Sequence, residues 1–274
     1  VDTAFIDIPW RSRRVRIEHA FIEGPASAPL LVFLHEGLGS LSMWRDFPQR
    51  LCEAIACPGL VYSRPGYGQS TPREPQEHWG VDFLHQQALE VLPSLLHALG
   101  IDAQRAPPWL FGHSDGGSIA LLYAARFPKA VAGVVVLAPH LFVEPLSLRS
   151  IQVAKVAYLE GGLRDRLARH HADPDSAFWG WNDIWLDPAF EAWNIEPELS
   201  AIRCPVLAVQ GLDDEYGTLD QIHRLQRAAP HAQLLELLAC GHQPQRDQPE
   251  KLRAAVADFM RYRRRGSLWS TPPA

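Results

Sequence analysis

The chain has 274 residues, enough for one large domain or a domain with an insertion, and for a substantial core. Hydrophobic residues at 47% and charged residues at 21% describe an ordinary globular protein, and a net charge of −5 gives no electrostatic reason to expect nucleic acid or an anionic membrane as partner. The longest apolar runs, such as Val131 to Pro139, are far too short to span a bilayer.

Val1 to Phe5 carry no basic segment followed by an apolar one, which predicts no secretion signal. Cys52, Cys57, Cys204 and Cys240 lack the paired spacing of a metal site or a disulfide framework. Reduced thiols in a cytoplasmic protein are the expectation. The first segment alternates, with Phe5, Ile6 and Ile8, then Val15, Ile17, Ala20, Phe21 and Ile22, among Arg and Glu. That pattern predicts an antiparallel pair at a sheet edge. From Leu30 to Leu34 the run is almost wholly apolar, as in a strand covered on both faces. Similar runs recur at Leu60–Tyr62, Trp109–Phe111, Val131–Leu137, Val206–Val209 and Leu234–Leu238.

Helical spacing lies between these runs. It joins Trp44, Phe47, Leu51 and Ile55, then Leu84, Ala88, Val91, Leu95 and Leu99, where Pro93 predicts a kink or break. Ile119 to Ala124, Leu219 to Ala229 and Leu252 to Phe259 follow. Alternating strands and helices predict an α/β domain with a mostly parallel central sheet and helices on both faces. Residues 140–199 break the rhythm: no buried strand, helix-like stretches, and Trp179, Trp181, Trp185 and Trp193. They are expected to form a helical cap over a core of residues 1–139 and 200–266. Most of these tryptophans would dock the cap, leaving Trp181 and Trp185 as candidates for lining a pocket. The basic run Arg261 to Arg265 is read as closing a helix that Gly266 ends, and 267–274 as a loosely held tail.

The chemistry centres on Gly112-His113-Ser114-Asp115-Gly116, between an apolar strand and an Ala/Leu-rich helix. Small residues two positions either side permit a sharp turn that presents the serine hydroxyl at a strand's carboxyl end. A serine is a weak nucleophile without a base, and His242, after the last strand run, is the candidate. The imidazole needs a carboxylate to fix its tautomer. Gly211-Leu212-Asp213-Asp214 follows a buried strand and offers two, of which Asp214 is chosen. The order serine, acid, histidine is the one found in hydrolases of this strand–helix pattern. The backbone N–H groups of Asp115 and of Gly37, in the glycine-rich loop His35 to Ser40, are the candidate oxyanion donors. His35 and His113 are read as bracing loops or shaping the pocket, and His140 as a substrate-binding candidate. His19, His78, His85, His97, His223 and His231 are read as solvated. His170 and His171, with Asp173 and Asp175, mimic a metal cluster, but adjacent histidines in a polar loop seldom converge, so no metal is expected.

Together these features resemble the α/β-hydrolase superfamily over nearly the whole chain. The resemblance is carried by His35-Glu36-Gly37, Arg64-Pro65-Gly66-Tyr67-Gly68-Gln69-Ser70, Gly112 to Gly117, Gly211 to Asp214 and Gly241-His242. It implies the α/β-hydrolase fold with a cap after the strand ending near Pro139, and acyl transfer through the serine without a cofactor. The expected partner is a small-molecule substrate, and homo-oligomerisation is left open without being indicated. Ser114 stands where epoxide hydrolases and haloalkane dehalogenases have Asp, which argues against both activities. The usual His-Gly of the oxyanion loop is here His35-Glu36, and Glu36 reads equally as a pocket carboxylate or a loop brace. Ser-Asp-Gly-Gly also looks like hydrolases of the valacyclovir-hydrolase kind, where the acid meets a substrate ammonium; the alternative is that Asp115 braces the elbow. Three functions stay in play: an esterase or thioesterase, a C–C bond hydrolase or lactonase with the same triad, and a non-catalytic ligand-binding protein.

Overall fold

The computed structural model describes residues 2–264, so Val1, the proposed Gly266 stop and the tail 267–274 lie outside the described residues. The alternating N-terminal segment forms β1 (Thr3–Trp10) and β2 (Arg13–Ile22), paired antiparallel in register from Thr3 with Ala20 to Trp10 with Arg13. The apolar runs form β3 (Leu31–Leu34), β4 (Gly59–Tyr62), β5 (Trp109–His113), β6 (Gly133–Leu137), β7 (Val206–Gly211) and β8 (Gln233–Leu237). The sheet order is β1-β2-β4-β3-β5-β6-β7-β8, parallel from β4 to β8 and antiparallel only at β1 and β2. This is the α/β-hydrolase fold that the sequence implies.

Strand side chains alternate between two cores. Leu31, Phe33, Phe111, Val135 and Val209 face one side, with α1 (Phe47–Ile55) and the terminal helix Pro249–Arg264. Val32, Leu34, Leu110, Val134, Val136 and Ala208 face the other, with α2 (Phe83–Gln86), α3 (Leu92–Ala98) and α4 (Asp115–Arg126). Burial on both faces is why these strands read as continuous apolar runs.

Between β6 and β7 the chain makes α5 (Pro145–Leu159), α6 (Leu163–Leu167), α7 (Pro174–Trp185) and α8 (Glu196–Leu199), and its strand-like contact there is one isolated bridge from Phe142 to Asn194. After β7 come α9 (Asp220–Ala228), β8, α10 (Pro244–Asp247) and α11 (Pro249–Arg264). No helix among the described residues is long and apolar enough to cross a membrane.

Three expectations need correction. The helix expected from Trp44 begins only at Phe47: Ser42–Trp44 is a 3₁₀ turn, and Arg45, at φ 54° and ψ −130°, separates the two. Pro93 does not break its helix. The wider π turn Gln87–Val91 precedes α3, so the N–H that proline lacks falls where the hydrogen-bond spacing already changes. His19 is 5% exposed, because β2 lies between two strands rather than at the edge.

Candidate active site

The strand order reverses direction between β3 and β5, since β4 flanks β3 on one side and β5 to β8 extend from the other. In an open α/β sheet the crevice beyond the strands' carboxyl ends at such a reversal is where ligands bind. The loop carrying Glu36 and Gly37 leaves β3, and Ser114 follows β5.

Ser114 adopts φ 53° and ψ −120°, a conformation unusual for a residue with a Cβ. Its N–H donates to the Leu137 carbonyl at 2.9 Å, and its carbonyl accepts from Gly117 at 2.8 Å. The flanking glycines have no freedom to be anything else. A Cβ on Gly112 would stand 2.2 Å from the Gly116 carbonyl oxygen, and one on Gly116 would stand 2.1 Å from the Leu34 carbonyl oxygen. Strand, helix and β3 loop therefore close on one another only without side chains there.

His242 and Asp214 meet across the ends of β8 and β7. His242 Nδ1 lies 2.9 Å and 3.0 Å from the two Asp214 carboxylate oxygens. That carboxylate also accepts from Gln210 Nε2 at 2.7 Å and from the N–H groups of Tyr216 and Gly217 at 2.8 and 3.2 Å. Burial alone would raise the Asp214 carboxyl, but the facing His242 and the Tyr216 N–H hold it below the ordinary value. Burial lowers His242, yet Asp214 outweighs it, with Glu215 and Glu36 adding, so the imidazole titrates above its usual value. Among the described residues no hydrogen bond joins Asp213 to His242; the Asp213 N–H donates to the Cys240 carbonyl. Ser114 and His242 keep 6% and 8% exposure, a narrow opening. Among the described residues no hydrogen bond joins their side chains, a contact that in such sites often tightens only around substrate.

The N–H groups of Gly37 and Asp115 donate to no carbonyl among the described residues. Gly37 lies against α7: a Cβ there would stand 2.2 Å from Trp181 Nε1. Trp185 is 1% exposed, and its Nε1 donates to Asp115 Oδ1 at 3.2 Å. The other Asp115 oxygen lies 3.7 Å from Arg64 Nη2, in a pair with no measurable exposure for Arg64 and 1% for Asp115. Burial raises the Asp115 carboxyl, with Arg64 opposing. Arg64 sits 4.5 Å over the Tyr67 ring and donates to the Glu36 carbonyl at 2.8 Å. His140 packs its ring 5.8 Å from His242 and 5.0 Å from Trp185; burial, then His242, lowers it to about 3, so it is neutral.

The remaining histidines have local work. His35 accepts from the Arg64 N–H at 3.0 Å, and His113 contacts the His242 carbonyl at 2.7 Å. His170 and His171 diverge, to Ser42 and to the Gly68 N–H. Among the described residues no group of three or more His, Cys, Asp or Glu is placed to hold a metal ion. Glu36, 21% exposed, also lines a cavity of about 410 Å³ with Arg45, Arg246 and Gln245. Sequence reasoning missed Gln210 and the Arg64–Asp115 pair, and weighed His113 only as a generic brace. Arg64 and His113 act on partners far away in the chain, whereas Gln210 reaches only to Asp214 and Gly217 and carries no motif that marks it.

An eight-stranded sheet with a strained serine at a strand–helix turn defines a hydrolase architecture. The alpha/beta hydrolase fold family matches residues 29–180, more than half of the sequence, and the chain belongs to that family and is a hydrolase. The chain is 25% identical over 258 residues to a 2-hydroxy-6-oxo-6-phenylhexa-2,4-dienoate hydrolase of Burkholderia cepacia, covering 84% of this chain and 87% of the relative. It is 28% identical over 257 residues to the putative carbamate hydrolase RutD of Pseudomonas savastanoi pv. phaseolicola, covering 86% and 95%. A thermophilic esterase from Thermogutta terrifontis superposes with a TM-score of 0.74 at 17% identity, covering 96% of this chain and 99% of that one. The likeness to this esterase is one of fold alone.

Proposed function

We propose that the chain is a serine hydrolase of small carboxylic esters or thioesters, working through an acyl-enzyme intermediate. The observation that carries this reading is the His242–Asp214 pair, 2.9 Å apart at the strand ends beside the strained Ser114. In this reading Ser114 Oγ attacks the carbonyl carbon while His242 Nε2 takes its proton. Asp214 accepts from His242 Nδ1–H, which keeps Nε2 the basic nitrogen and stabilises the imidazolium that forms. The N–H groups of Gly37 and Asp115 receive the oxyanion. His242 then protonates the leaving group, and water repeats the sequence to release the acid.

Residues 140–199 are assigned as the cap that shapes the pocket, with Trp181 and His140 lining it. The Asp115 side chain is assigned as a brace, because its buried carboxylate already faces the Trp185 N–H and Arg64. The same burial makes Trp185 part of the brace. Asp115→Asn is then expected to leave any preference among aminoacyl esters unchanged.

The test is a panel of p-nitrophenyl esters, acyl-CoA thioesters and aminoacyl esters, combined with fluorophosphonate labelling. Turnover with Ser114 as the labelled residue, both absent in Ser114→Ala, is the expected result. Full turnover by that variant would overturn the mechanism. A ligand-binding protein without catalysis would show neither labelling nor turnover. The likeness to the dienoate hydrolase favours a second reading, hydrolysis of a carbon–carbon bond with the same triad. Turnover of a chromogenic dienoate in preference to every ester would select it.

A further inference from the structure

His113 ends β5, directly before Ser114, and its side chain is wholly buried. A backbone carbonyl only accepts, so the 2.7 Å contact of His113 Nε2 with the His242 carbonyl fixes a proton on Nε2. Nδ1 then faces the other way. It lies 3.1 Å from the Gln245 side-chain amide and 3.5 Å from Glu36 Oε2. One imidazole on the elbow strand therefore touches the His242 loop, α10 behind it and the Gly37 loop. Its ring is also hemmed in, 5.1 Å from the His242 ring and 6.4 Å from Trp44.

The Gln245 amide strengthens this picture. As placed, its oxygen is buried without a partner. The amide N–H faces Nδ1, which is the acceptor of the ring once the proton sits on Nε2. Both ring nitrogens are therefore held. Glu36 is well placed to be an anion at neutral pH: burial raises its carboxyl, but His113 outweighs burial and holds it at about 2. The Glu36 backbone is fixed separately, its carbonyl taking Arg64 Nη2 at 2.8 Å and contacting His35 Nδ1 at 2.7 Å.

We propose that His113 and Glu36 are positioning residues, tying the loop of Gly37 to the backbone of His242 so that base and oxyanion donor stay in register with Ser114. This rests on the triad reading above. The warrant is geometric: displacing a reacting group by an ångström costs about 100-fold in rate, even when the substituted residue is remote from the chemistry. It gives Glu36, where glycine is usual, a task directed at His113.

The experiment compares His113→Leu, His113→Gln and Glu36→Gln. The glutamine at 113 reaches about as far as Nε2 and restores a donor to the His242 carbonyl. Two readouts are followed: kcat and KM on a p-nitrophenyl ester, and the low-field proton resonance of the His242–Asp214 hydrogen bond, which needs no turnover. His113→Leu is expected to lower kcat about 100-fold, with KM changed by no more than about threefold. It should also shift or broaden the resonance, and His113→Gln should recover both to within about tenfold of wild type. Glu36→Gln is expected to cost about tenfold, a loss that disappears in the His113→Leu background.

A folded His113→Leu protein with wild-type kcat and resonance would overturn the proposal, as would losses that simply add. If His113→Leu does not fold, a wild-type kcat and resonance in Glu36→Gln overturn it instead. Wild-type protein without ester turnover would count against the triad reading, and the resonance would still decide the tie.

Discussion

Asp214 accepts hydrogen bonds from a glutamine amide, two backbone N–H groups and an imidazole, which is why a largely buried carboxylate stays ionised. The consequence falls on His242. A base must be neutral to take a proton, and the ion pair favours the protonated form. In the proposed mechanism, activity then appears as pH rises only once pH passes the raised value of His242. The acid limb of kcat/KM is expected above the ordinary imidazole value of about 6.5. Asp214→Asn removes the charge that raises His242, so the limb should move to lower pH while kcat falls by about 10⁴-fold through loss of the correct tautomer. A pH–rate profile of both proteins measures this, and an unmoved limb would remove Asp214 from the pair.

The elbow shows how elements constrain one another. Gly116 opens α4 beneath the last residue of β3, and a methyl group there meets a backbone oxygen that has no side-chain freedom to retreat. Gly116→Ala is expected to destabilise the protein by about 1–3 kcal/mol, seen as a lower urea midpoint at unchanged m, and to slow fluorophosphonate labelling. A wild-type midpoint would mean that α4 tolerates displacement from β3. Most of this arrangement was legible in the sequence, because strands buried on both faces read as apolar runs and turns of this kind demand glycine. Ser114, Asp214 and His242 could be named because each follows such a run. The 3₁₀ turn before Arg45 and the π turn before Pro93 were not legible, since the apolar spacing runs straight through them. Nor were the partners of Arg64 and His113, which are set by packing between elements distant in the chain.

The core on the α4 side of the sheet does not stop at the sheet. It runs without a gap from Leu110 and Val134 through Phe83 and Leu121 to Trp185, Phe190, Trp193 and Leu199, so the helices between β6 and β7 share one apolar interior with the strands. Phe190 is the link: wholly buried, it packs 5.7 Å from Phe83 of α2, 5.0 Å from Trp185 and 5.1 Å from Trp193. A shared core predicts shared unfolding, because exposing either part strips apolar surface from the other. Tryptophan fluorescence, weighted towards α7 and its surroundings, and far-UV circular dichroism should therefore change at the same denaturant concentration. Phe190→Ala should cost about 3–5 kcal/mol and lower both midpoints together. If fluorescence instead moved first, with the circular dichroism transition left where it was, residues 140–199 would be an independently unfolding unit. The pocket they are proposed to shape would then open without disturbing the sheet.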